Sequence, residues 1–347
     1  MNIKKIAVAF VLFGLVAIAA FSYYIYSIML VSNTAFNSKE AYVYIPTGAS
    51  YNEVRNDLEP LLISIDKFDV LAQQKKYMSN IRPGRYRISK GMTNNDIINS
   101  LRSQNVPITV AFNNQHSLNQ LAKRISNQIE ADSLELIESF TDEDFLKTHG
   151  FTAETALSMY LPNSYEFFWN TNPRKFRTKM LKSYRVFWNK KRLEQAKEIG
   201  LSQTEIAILA AIVQEESKQK SEQPRVAGVY INRLKNGWPL QADPTLKYAA
   251  YQLPAYKNKV IKRVLNKHKK IESPYNTYLN KGLPPGLIAM PDLSVIDAVL
   301  NYERHDFFFF AANPERPGYH NFAKSISGHN KNAQSYQNYL SRKGIRE

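Results

Sequence analysis

Residues 204–217 read Thr204-Glu-Ile-Ala-Ile-Leu-Ala-Ala-Ile-Val-Gln-Glu-Glu-Ser217, and this stretch decides the architecture. Its apolar residues fall on every side, and a helix that is apolar all round has to lie inside a domain. It therefore reads as the central helix of a core, and it ends in two carboxylates, Glu215 and Glu216. Glu216 follows Ile212 by four residues and Val213 by three, which sets it beside the apolar surface of the last turn. Burial disfavours the charged form, so a carboxyl there has a raised pKa and suits proton donation near neutral pH. Glu215 neighbours Ala211 and Ile212 in the same way, so the helical wheel does not separate the two. Spacing alone equally allows both to sit at an exposed helix end, paired with Lys218, Lys220 or Arg225.

Several short motifs follow this helix. They are Pro224-Arg-Val-Ala-Gly-Val-Tyr-Ile-Asn-Arg-Leu234, Leu240-Gln-Ala-Asp-Pro-Thr245, Ser273-Pro-Tyr-Asn-Thr-Tyr278, Gly282-Leu-Pro-Pro-Gly-Leu-Ile-Ala289 and His320-Asn-Phe322. In this order and spacing they resemble the endolytic murein transglycosylases, the MltG/YceG-like family, over about residues 160–339. The resemblance implies cleavage within peptidoglycan glycan strands, between N-acetylmuramic acid and N-acetylglucosamine, without water as the nucleophile. It also implies limits on strand elongation and partnership with the peptidoglycan synthases that polymerise strands.

Carried over by motif, the family's catalytic Glu falls on Glu216. Gln214 and Glu215 stand where the family pattern Ile-(Ile/Val)-Glu-Lys-Glu-Thr has its first Glu and its Lys, and Gln214 cannot act as an acid. One carboxyl is enough for this chemistry. It protonates the glycosidic oxygen, then takes a proton from the muramyl C6 hydroxyl as that oxygen closes on C1, giving a 1,6-anhydro end. The usual hydrolases instead need a pair of carboxylates. Gln241, Asn276 and Tyr278 carry amide and hydroxyl groups suited to sugar hydroxyls or the N-acetyl group, and their family match marks them as substrate-binding candidates. Asp243 is counted with these substrate-binding candidates as the natural candidate for a second carboxylate, but before Pro244-Thr245 it also suits a cap or turn, and capping is favoured. The stiff Pro/Gly turn at 282–286 is expected to shape one wall of the cleft.

His320 and His329 match family positions, whereas His116, His149, His268 and His305 lack metal-ligand spacing, and neither a metal nor another cofactor is expected. The aromatic stretch 160–169 resembles the family's Leu-Phe-Pro-Asp-Thr-Tyr segment, with Asn163 in place of Asp and Leu157-Ser158 in place of the preceding Glu-Gly. Its rings are expected to pack more than to bind sugar. Two other readings compete with the transglycosylase: a hydrolytic muramidase at the same cleft, and a non-catalytic wall-binding scaffold in which Glu216 is dispensable.

Further out, the whole chain has 347 residues, 46 Lys+Arg against 30 Asp+Glu, a net charge of +16 and no cysteine. That length predicts about two domains, and the missing cysteine excludes disulfide frameworks, thiol nucleophiles and Cys-ligated metals. After Lys4 and Lys5, the uncharged, largely apolar run 6–31 exceeds the roughly 20 residues that span a bilayer. Positive residues stay on the cytoplasmic side, which predicts a single-pass inner-membrane anchor with a five-residue tail inside and everything after residue 31 facing the periplasm. A cleaved signal peptide, cut after Ala17-Ile18-Ala19, is the competing expectation. An exported basic domain meets anionic headgroups and wall polymers rather than nucleic acid, so no nucleic-acid partner is expected.

Residues 40–106 read strand, two helices, strand, helix. Ser50 caps the first helix, a second covers 64–74, and Thr93 caps the one carrying Ile97, Ile98 and Leu101. This order resembles the small LysM-like subdomain found beside cell-wall enzymes. Further helices are expected at 118–129, 132–139 and 174–199. The predicted class is α+β: a transmembrane helix, a LysM-like βααβ unit at 40–106 and a larger mixed catalytic domain at 107–347.

Overall fold

The uncharged run near the N-terminus lies, up to residue 29, in a single helix, α1 (Ile3–Met29), of mean hydropathy 2.5 over its most apolar window. At 1.5 Å per residue it is about 40 Å long, and by length and composition it is sufficient to cross a bilayer. The computed structural model describes residues 3–256, 259–261 and 264–343. Met1 and Asn2 of the expected tail, Lys257, Lys262 and Arg263 of the basic stretch 257–270, and residues 344–347 lie outside the described residues.

The chain divides into two compact units, one of residues 1–110, 128–131 and 165–172, the other of 111–127, 132–164 and 173–347. In the first, β1 (Glu40–Ile45) and β2 (Gly84–Ser89) pair antiparallel, with Val43 opposite Tyr86 and Ile45 opposite Gly84. Between them run α2 (Tyr51–Leu58) and α3 (Ile65–Gln74), and α4 (Asn94–Ser103) follows. Ser50 and Thr93 form reciprocal capping boxes with Glu53 and Asp96, and Ser64 caps α3 through Lys67 N. Each such cap satisfies otherwise orphaned amides and contributes about 1 kcal/mol. The strand and helix faces meet in a core that includes Ile45, Leu58, Phe68, Leu71, Ile88 and Ile98, and Ile28 from the end of α1 belongs to it.

The second unit is mainly helical. A ribbon of β3 (Pro107–Phe112) and β4 (Asn163–Phe168) contains boundaries of the division. Then come α5 (Leu118–Ser126), α6 (Ser133–Phe140), α7 (Glu143–Thr148), α8 (Pro173–Phe187) and α9 (Lys190–Ile199). The single helix expected over 174–199 is broken, because the Asn189 side chain accepts from Arg192 N at 3.1 Å and so starts a new helix. Gly200, at φ +85°, then ends α9 in the left-handed conformation that favours glycine.

The central helix is α10 (Gln203–Glu216), with every residue from Ile206 to Gln214 buried and a Ser202–Glu205 capping box at its start. It packs against α11 (Gln223–Lys235), α12 (Asp243–Tyr251) and α14 (Leu293–Leu300). A short helix, α13 (Asn266–Lys269), precedes α14. The chain ends with an antiparallel hairpin, β5 (Phe309–Ala312) and β6 (His320–Ala323), onto which α15 (Ile326–Arg342) packs.

Candidate active site

The last turn of α10 separates the two carboxylates that the helical wheel could not. Glu215 forms a surface ion pair with Lys218 at 3.0 Å, while Glu216 enters a cavity of about 360 Å³. There the buried Tyr230 hydroxyl, from α11, donates to Glu216 Oε1 at 2.8 Å. Burial pushes the Glu216 carboxyl up to about 7, with Asp243 adding to the rise, while Tyr230, His320 and Lys247 pull it back. A carboxyl raised into that range can hold the proton that a general acid needs near neutral pH.

Asp243 corrects one expectation. It is the first residue of α12 but makes no cap; the N-cap position is Ala242, without a side-chain bond. Its Oδ1 instead accepts from the Tyr278 hydroxyl at 2.5 Å, and both side chains line the Glu216 cavity. Gln241 lines it as well, at φ +50°. That conformation is costly for a residue with a Cβ and is held by Gln241 N donating to Thr277 O at 3.0 Å.

Asn276 corrects another expectation. Fully buried and outside the cavity lining, it donates from Nδ2 to Lys269 O and Ile271 O, and its Oδ1 accepts from Tyr278 N at 3.0 Å. It holds the loop that presents Tyr278 and does not meet the cavity. The 282–286 turn also stays out of the lining. Its Gly286 lies so close to Glu154 that a Cβ would come within 2.3 Å of the Glu154 carbonyl oxygen. The aromatic stretch behaves as packing: Tyr160 is buried against Phe140 at 4.6 Å, and no residue of 160–169 lines the Glu216 cavity.

Spacing did not reveal several contributors. Gln214 is a staple, its Oε1 accepting from Asp292 N at 2.6 Å. Arg233, one turn beyond Tyr230 on α11, donates to Phe308 O at 2.8 Å and Leu240 O at 2.5 Å, tying the hairpin and the 240–241 turn to the cavity. Glu222 accepts from His320 N and lies 2.8 Å from His320 Nδ1. Burial pushes Glu222 up, but these bonds outweigh it and leave its carboxyl below the ordinary range. His329, from α15, stacks on Phe309 with centroids 5.4 Å apart, and its buried Nδ1 has no partner among the described residues. Burial holds the His329 imidazole below its ordinary pKa, favouring the neutral ring. Two sequence signals point to them: His320 and His329 match family positions, and the i, i+3 spacing of Tyr230 and Arg233 within the 224–234 motif puts both on one face of α11.

A profile of the YceG-like family matches residues 43–335. The chain is 28% identical over 319 residues to an endolytic murein transglycosylase of Bacillus subtilis, a match covering 85% of this chain and 84% of that protein. It is 26% identical to an endolytic murein transglycosylase of Streptococcus pneumoniae, covering 97% of this chain and 66% of that protein. Among solved structures, a yceG-like protein from Listeria monocytogenes superimposes with a TM-score of 0.55 at 25% identity, covering 85% of this chain and 99% of that one.

Proposed function

Because the chain belongs to the YceG-like family, we propose that it is an endolytic lytic transglycosylase that cleaves peptidoglycan glycan strands, with Glu216 as its single acid and base. The observation that carries the reading is the Glu216 carboxyl, placed in a cavity and pushed up to about 7. Protonated, it gives its proton to the oxygen joining N-acetylmuramic acid to N-acetylglucosamine as the C1–O bond breaks. As a carboxylate it then removes the C6 hydroxyl proton while O6 bonds to C1, so the acid is regenerated and no water is consumed. Tyr230 fixes the carboxyl by donating to Oε1. Asp243, with its charge directed into the same cavity, stabilises the positive character that develops at C1. The Tyr278 oxygen, its proton committed to Asp243, and the Gln241 amide are left to contact sugar hydroxyls.

Asp243 also favours a second reading. A carboxylate beside the acid is what a hydrolytic muramidase would use to activate water or stabilise the intermediate. In either case α1 serves as a single-pass inner-membrane anchor with the catalytic unit in the periplasm, next to the synthases that extend the strand. Residues 40–106 then serve as a LysM-like unit between membrane and wall.

The test is to digest purified strands with the full chain in detergent, beside Glu216→Gln, and to read the new ends by mass spectrometry. Anhydro-muramyl ends that vanish in the variant are expected. Reducing muramyl ends would mean hydrolysis, and cleavage unaffected by Glu216→Gln would overturn the assignment of the acid.

A further inference from the structure

A second cavity, of about 260 Å³, lies beside the first in the chain's own register: Glu216 and Asp243 line one, and their sequence neighbours Glu215 and Pro244 line the other. Helix α12 supplies half of its lining residues. Leu246, Ala249 and Ala250 face the core, while Pro244, Lys247, Tyr248 and Tyr251 recur at i, i+3, i+4 and i+7 and face the cavity. Such a stripe on a buried helix normally disappears under another element. Here Tyr251 remains 40% exposed and the cavity open.

The chemistry of that wall is specific. The Tyr248 ring is held by Tyr275, with centroids 4.7 Å apart, so it presents a fixed aromatic surface. Lys247 makes no ion pair or hydrogen bond among the described residues, although it is close enough to Glu216 to lower its pKa. Among the described residues of the lining, the one acidic side chain, Glu215, is paired with Lys218. An aromatic wall with one uncompensated cation fits a sugar ring that carries an anion. In a glycan strand, that is a muramyl residue bearing its peptide stem, whose free carboxylates are the strand's principal negative charges.

We propose that this cavity is a subsite for a stem-bearing muramyl residue neighbouring the cleaved bond, with Lys247 contacting a stem carboxylate and Tyr248 and Tyr251 forming the sugar-facing wall. The assignment rests on the strand-cleaving reading and adds to it a preference for peptidated over stem-free glycan. Glu216 performs the bond cleavage, and the Lys247 cavity selects which strands are held for it.

The test is binding rather than turnover, so that it separates from the test of catalysis. The full chain carrying Glu216→Gln, in detergent, is titrated by calorimetry with soluble strands of one length, either carrying stems or stripped of them by an amidase with the lactyl carboxylates that this exposes then capped as methyl amides. Stem-bearing strands are expected to bind about tenfold more tightly, the scale of one charge-assisted contact. Adding Lys247→Ala is expected to bring that ratio close to one, and Lys247→Arg to restore most of it. Tyr248→Ala is expected to weaken both strands alike. Equal binding of the two strands, or a ratio that survives Lys247→Ala, would overturn the subsite. A tenfold ratio in the Glu216→Gln chain, beside no cleavage by the unsubstituted chain, would instead remove the catalytic reading and leave the subsite standing.

Discussion

In the small unit, the fully buried Asn94 donates to Ile28 O at 2.9 Å and accepts from Asn33 Nδ2 at 2.6 Å, while Asn33 in turn bonds both N and O of Ser64 at 2.8 Å. In the catalytic unit, Glu216 has a single hydrogen bond among the described residues and the buried Nδ1 of His329 has none. Both clusters bury polar atoms, but the Asn33–Asn94 pair is fully engaged and the Glu216 cavity leaves capacity open. Unfilled capacity is a cost to folding that is retained where a substrate will supply the missing partner. The difference predicts that substitutions in the first region act on stability and those in the second act on turnover and pH dependence.

The largest expected effect is that of Glu216→Gln, a loss of cleavage of about 10³-fold or more, since one group carries both proton transfers. The same variant should gain stability at alkaline pH. A carboxyl raised from 4.5 to about 7 adds stability that is fully present below pH 4.5 and lost as pH rises through 7. The loss is at most on the order of 3 kcal/mol and less where the cavity admits water. Melts of the two proteins should therefore coincide near pH 4 and diverge by pH 8, with the variant higher. Coincidence at both pH values would mean that Glu216 is not desolvated.

Next in size is Asn94→Ala, which leaves the Ile28 carbonyl and the Asn33 amide without their buried partner. A cost of about 2–3 kcal/mol is expected, confined to the transition of the small unit. Truncating the chain at residue 32 should do at least as much, because it removes the Ile28 side chain from the core as well. Hydrogen exchange can follow both, and loss of protection in α3 and α4 with α10 unchanged is the expected pattern.

The contrast also explains what the sequence reveals. Ser50, Ser64 and Thr93 cap helices through amides three residues away, so the small unit's elements can be read locally. The core helix is legible for the same reason, because its apolar residues fill the whole wheel. The Glu216 cavity instead draws on α10, α11, the 241–243 turn, Tyr278, the 309–310 strand and α15. Motif order located those segments, but not which way each side chain points. Hence Asn276 and Tyr278, two residues apart, were assigned one role and divide into a scaffold and a cavity wall. Asp243 was misjudged because its partner, Tyr278, lies 35 residues away and leaves no local trace. The break at Asn189 was missed because helical apolar spacing continues across it while its capping bond is a single local contact.

A smaller change, Tyr230→Phe, examines the tuning of the acid itself. The Tyr230 hydroxyl donates to Glu216 and lowers its pKa, so removing it raises the carboxyl further. The alkaline limb of the cleavage profile, which marks loss of the protonated acid, should move to higher pH by up to about one unit, with a rate loss on the order of tenfold from poorer orientation. A limb that moves to lower pH would show that the hydroxyl's main effect is not on the carboxylate.

The smallest expected effect separates the consecutive carboxylates. Lys218→Ala breaks the Glu215 ion pair, in which the lysine side chain is 68% exposed. Such pairs contribute no more than about 0.5 kcal/mol, and the melting temperature should barely move at any pH. If Glu215 were instead the desolvated acid, losing its one cation would raise its pKa and shift the cleavage profile as Tyr230→Phe does. An unchanged alkaline limb in Lys218→Ala, beside a shifted one in Tyr230→Phe, assigns the titrating group to Glu216. That distinction comes from where the helix ends: one residue further along α10, the carboxyl turns from the Lys218 pair into the cavity and meets the Tyr230 hydroxyl.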